Sequence, residues 1–153
     1  MNPIYLCNAI VFCVALGVSG STGAAEKDVR QKVKLPPQMR THMLANMRDH
    51  LQALSEIQAA LAAKQLDRAA DIAETRIGMT SLTSHGASHM AQHMPKGMQD
   101  IGTEMHHAAS RFARTAQEGD GQKALENLAQ VTQQGVACHA GYRTGSGSSS
   151  TVV

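Results

Sequence analysis

An all-α fold, an antiparallel four-helix bundle, is what this sequence predicts, and three observations lead there. Apolar residues recur at steps of three and four through most of residues 38–142, the period of one helix face. Alanine is abundant and β-branched residues are sparse, which favours helix over sheet. The periodic segments are joined by short connections, and short connections make successive helices antiparallel neighbours. No internal repeat, strand alternation or glycine-rich phosphate loop competes with this reading.

The first helix is predicted from about Gln38 to Lys64. Pro36-Pro37 marks its start, where proline is tolerated, and Met43, Met47, Leu51, Leu54, Ile57 and Leu61 form its apolar face. Asp67 is a candidate N-cap for the second helix, whose stripe is Leu66, Ala70, Ala73 and Ile77 and whose end is Gly78. Thr80 to Pro95, "TSLTSHGASHMAQHMP", is the least regular stretch, and Pro95 breaks any helix there. A third helix follows from about Gly97, with Met98, Ile101, Met105, Ala109, Phe112 and Ala116 on one side. Gly119-Asp120-Gly121 reads as a turn. The fourth helix is predicted from about Gln122 to Tyr142, with Leu125, Leu128, Val131 and Cys138 inward.

The two ends read differently from the middle. Ile4 to Val18 is a short apolar run followed by the small residues "SGSTGAA", the layout of a secretory signal peptide with cleavage after Ala25. The alternative is an N-terminal membrane anchor, for which the run is short against the ~20 apolar residues of a span. Residues 1–25 are therefore assigned to the signal, 26–143 to the bundle (26–34 as a polar leader), and the Gly/Ser-rich 144–153 to a disordered tail. This predicts a periplasmic protein with no stable membrane span after cleavage. The net charge of +2 is too small to argue for nucleic acid.

Cysteine usage sharpens the reading. Cys7 and Cys13 leave with the signal, so Cys138 alone remains. An exported chain with a single cysteine forms no internal disulfide, and such a thiol calls for an explanation. It lies in "GVACHAGYR", residues 135–143. The stretch reads as a C-x-x-C-H haem-attachment site with Gly135 in place of the first cysteine. On a helix, positions 135 and 138 share a face, and Gly135 leaves one of the two thioether bonds without a sulfur.

With Tyr142 and Arg143 in register after His139, "ACHAGYR" resembles the end of the cytochrome c′ and cytochrome c556 family, C-x-x-C-H-x-x-[YF]-R. "RTHMLANM" in the first helix is similar to that family's R-x-x-x-L-x-x-M, through Arg40, Leu44 and Met47. The resemblance covers roughly residues 35–143. It implies a haem c with a single attachment at Cys138, His139 as the proximal iron ligand and Arg143 at the haem edge. For the distal side it implies either non-ligating Leu44 or an axial methionine, with Met43 and Met47 as candidates. The activity implied is one-electron transfer or diatomic-gas binding, with a periplasmic redox partner or a small gas as the counterpart. Nothing resembles a paired acid and base, so no enzyme is expected. A homodimer is left open.

A second constellation points elsewhere. His85, His89 and His93 are spaced i, i+4, i+8, and Met90, Met94 and Met98 repeat that step. Imidazole suits copper, zinc or nickel, and thioether suits copper(I). His106-His107 and Met105 add further donors. The alternatives to the haem protein are thus a haem-free bundle binding copper through His85, His89, His93, Met90 and Met94, and a structural relic of the cytochrome fold.

Overall fold

A computed structural model describes residues 27–145; the signal-peptide assignment and most of the tail lie outside the described residues. The described chain is mostly helical. Helix α1 runs Pro37–Ala62, α2 Leu66–Arg76, α3 Ala87–Ala91, α4 Lys96–Gln117 and α5 Gly121–Gly141, with a 3-10 turn at Met79–Leu82. Two three-residue strands, β1 Gln31–Val33 and β2 Tyr142–Thr144, pair in parallel with Gln31 opposite Tyr142.

The helix ends follow local chemistry. Pro37 occupies the first turn of α1, where a missing N–H costs no hydrogen bond. The other end of α1 closes with Gln65 N–H on the Ala60 carbonyl at 2.8 Å and Lys64 N–H on Leu61 at 2.9 Å. That is a Schellman ending, with Lys64 at φ 57° in the position glycine usually holds. Asp67 lies in the first turn of α2 rather than capping it. Its carboxylate still faces the positive end of the helix dipole. Asp120 is a true N-cap, accepting from Lys123 N–H at 2.9 Å. Gly78 follows α2 because a Cβ there would sit 2.8 Å from the Glu74 Cα.

Helix α4 packs against both α2 and α5, and α1 against α2. Asn127 of α5 donates to the Thr115 hydroxyl of α4 at 3.0 Å. Arg76 at the end of α2 reaches Asp49 and Glu56 of α1 at 2.5 and 2.7 Å. The main core is alanine-rich: Ala53, Ala69, Ala70, Ala73, Ala108 and Ala109 surround Ile57, Ile77, Phe112 and Leu128. Small side chains let the helix axes approach closely. A second, smaller core joins Val33, Met43, Met90 and Met98, with Met47, Met94, Cys138 and Tyr142 packed on it.

Several details depart from the sequence reading. Leu51 and Leu125 were expected inward but are 70% and 53% exposed. Their neighbours Ala53 and Ala124 take the buried positions. Residues 31–33 of the leader are structured, with Val33 buried. The fourth helix stops at Gly141, and Thr144, assigned to the tail, belongs to β2.

Candidate functional site

Helix α5 delivers Cys138 and His139 at its last turn. The Cys138 side chain is half-buried on the methionine core, and burial pushes its thiol pKa up, so it stands as a neutral thiol. His139 is exposed. Its carbonyl accepts from Arg30 Nη1 at 3.5 Å, and Arg30 is ion-paired to Asp28 at 2.9 Å. Asp28 also lies 3.2 Å from the Arg143 Nε, so the leader is tied over the end of α5. The pairing with Arg30 holds the Asp28 carboxyl at about 2.

Of the distal candidates, Met43 is buried in the same core as Cys138 and Met47 packs on that core. Leu44 is half-buried and lies outside it. Phe112 sits in the main core, away from Cys138. A Cβ added at Gly135 meets nothing within 4 Å, so the position has room for a side chain. Arg40 lies one turn before Met43. Its Nε is buried and has no hydrogen-bond partner, and the Arg143 Nε likewise makes no hydrogen bond. Two open hollows, of about 700 and 540 Å³, lie near Lys64–Gly119 and Glu74–Arg114; neither is lined by Cys138 or His139.

For a haem, these residues supply a thiol, an exposed imidazole, the Arg40 guanidinium with an unused donor for a carboxylate, the Arg143 guanidinium now facing Asp28, and an apolar bed of methionines. Methionine is unbranched and rearranges readily around a planar group. The donor set fits.

The His/Met segment is divided. Gly86, at φ 62°, interrupts the chain before α3, so His85, His89 and His93 do not share one helical row. Met90, Met94 and Met98 go to the core that holds Cys138. His89 is exposed and His93 half-buried. His85 is buried and meets two other imidazoles, His50 of α1 and His106 of α4. The ring centres are 4.7 Å apart for His50–His85, 5.8 Å for His50–His106 and 5.6 Å for His85–His106. The His85 carbonyl accepts from Asn46 Nδ2 and lies against His42 Nε2, both at 3.0 Å.

Burial pushes all three imidazole pKa values down, His50 to about 4. His50 had no sequence signal, since nothing in the spacing of residues 50, 85 and 106 brings them together. Among the described residues, no three His, Cys, Asp or Glu side chains are already gathered to hold a metal ion. No described helix is long and apolar enough to cross a membrane.

No family model, curated protein or solved structure matches this chain.

Proposed function

We propose that this chain is an exported c-type haem protein of the cytochrome c′/c556 kind, its four longer helices forming an antiparallel bundle. The haem is held by one thioether at Cys138, with His139 as the proximal iron ligand. One observation carries the reading: Cys138 and His139 are consecutive at the end of α5, and the thiol lies on an apolar methionine core shared with Met43 and Met47 of α1. Arg40 has a buried, unused Nε donor suited to a haem carboxylate, while the Arg143 Nε faces Asp28 at 3.2 Å and would exchange that carboxylate for the haem's. When bound, the haem supplies a one-electron couple or an iron site for a diatomic gas.

The distal position falls to Met43 or Met47 rather than Leu44, because only the methionines share the core with Cys138. An axial thioether gives a low-spin iron and a raised potential. Replacing Met43 and Met47 by Ala, one at a time, tests this. A low-spin spectrum that survives both substitutions excludes both sulfurs.

The central experiment is the intact mass and absorption spectrum of protein purified from a periplasm with a complete maturation system. One haem's added mass and a Soret band support the proposal. A colourless chain of bare mass overturns it.

A second reading is favoured by a specific feature, the gathering of Met43, Met47, Met90, Met94, Met98 and Cys138 in one cluster. Soft sulfur donors select copper(I). A colourless protein that retains copper(I), and loses it when Met43 and Met90 are replaced together, supports that reading.

A further inference from the structure

We propose that His50, His85 and His106 form a three-imidazole site for a divalent transition-metal ion of the zinc class, separate from the Cys138 end of the molecule. The three side chains come from α1, from the segment before α3 and from α4, and their rings touch pairwise. Nδ1 of His85 lies 3.2 Å from the Ser81 hydroxyl, and that hydroxyl donates to the Gly78 carbonyl at 2.7 Å. The Ser81 proton is thereby committed, so the His85 Nδ1 carries a proton and donates to it. Nδ1 of His106 lies against the Ile77 carbonyl. A carbonyl only accepts, so His106 too is protonated at Nδ1. Both rings therefore present bare Nε2 lone pairs.

Metal-bound histidines are arranged in this way, with the other ring N–H given to a carbonyl or similar acceptor that fixes tautomer and orientation. The third ring adds an independent sign. The His50 Nε2 is buried with no partner, an arrangement folded proteins ordinarily avoid because the group loses its water without gaining a replacement. A metal ion is a partner that accounts for it.

The spacing is compatible. Imidazoles bound through Nε2 at ~2.1 Å around a tetrahedral ion place their ring centres about 5.3 Å apart. The observed 4.7–5.8 Å brackets that value. The rings are packed on each other rather than around a point, so binding calls for small ring shifts that keep the Nδ1 hydrogen bonds of His85 and His106. His50 as a whole residue is less buried than His85 and His106, though its Nε2 is enclosed. Three neutral imidazoles leave a fourth position for water. The Asp49 carboxylate acts on His50 and His85 from nearby and offsets part of the added charge. Thioethers are poor zinc ligands, so the methionine core does not compete for this ion.

The test is titration of the purified full chain with cobalt(II), read by ligand-field absorption, and with zinc(II), read by calorimetry. One equivalent is expected, with the intense bands of a four-coordinate ion. His50→Ala and His106→Ala should each abolish binding, while His89→Ala and His93→Ala leave it unchanged. Ser81→Ala, which removes only the orienting hydroxyl, should weaken it about tenfold or more. Should a histidine variant unfold, the imidazole ¹⁵N resonances of the intact chain serve instead: zinc should move those of His50, His85 and His106 alone. Absence of binding by the folded chain overturns the proposal. So does binding that survives His50→Ala, or that moves only other histidines. Haem content plays no part in these readouts.

Discussion

Gly135 is where the motif departs from the C-x-x-C-H pattern, and it is sterically vacant: a Cβ there meets nothing within 4 Å. Glycine inside a helix is less stable than alanine by about 1 kcal/mol. Gly135→Ala should therefore raise stability by about 0.5–1 kcal/mol, read as an upward shift in thermal midpoint. Gly135→Cys restores both sulfurs and, on the haem reading, should improve maturation yield while changing retention little. Cys138→Ala should change retention greatly, turning the haem from acid-acetone-resistant to extractable. The asymmetry follows from tethering: one short link already holds a group at an effective concentration on the order of millimolar. A haem fraction in Cys138→Ala that stays bound through acid acetone contradicts the single-thioether assignment. At this scale the sequence singles out Cys138, because a leftover thiol beside a histidine calls for an explanation. It was silent about His50, whose partners lie in segments distant along the chain.

Among the elements, α1 carries an improvable feature at its end. Lys64 adopts a left-handed conformation at φ 57°, which costs a residue with a Cβ roughly 1–2 kcal/mol. Glycine removes that strain but gains freedom in the unfolded chain. The net expectation for Lys64→Gly is a gain of about 0.5–1 kcal/mol, and an unchanged or lowered urea midpoint refutes it. Element positions were legible wherever large apolar residues and breakers coincided, as at Pro36-Pro37, Pro95 and Gly119–Gly121. Which face turns inward was less so. Periodicity and size point Leu51 and Leu125 inward, but closely approaching helices bury Ala53 and Ala124 and leave the leucines on the rim. The β1–β2 pair was invisible because three residues show no alternation, and its register comes from the leader reaching the end of α5. The histidine row failed at Gly86, whose φ of 62° ends the regular backbone.

At the scale of the molecule, two unlike cores meet at the imidazole trio. Along α1, Met43 and Met47 of the methionine core precede His50, and Ala53 and Ile57 of the alanine core follow it. Along α4, Met98 precedes His106, and Ala109 and Phe112 follow. Protonating the trio places charge at that junction. Burial is the main cause that lowers the His50 pKa to about 4, reinforced by His85 and His106; Asp49 opposes the shift, and Arg76 adds to it slightly. Since the unfolded imidazole titrates near 6.5, the unfolded chain binds the proton first as pH falls. Stability is then full above about pH 6.5, declines toward pH 4 and levels off below, where both states carry the proton. His50 alone accounts for about 2 kcal/mol of loss by pH 5 and on the order of 3 kcal/mol in all. The Asp49 and Glu56 carboxyls, lowered chiefly by hydrogen bonds from Arg76 and Gln52 respectively, lose their contribution only at more acid pH. The urea midpoint of the metal-free chain should thus fall between pH 7 and pH 5, before those carboxylates titrate. His50→Gln should flatten that part of the curve. A midpoint constant from pH 7 to pH 5 would show that the imidazoles at the junction are not held neutral by the fold.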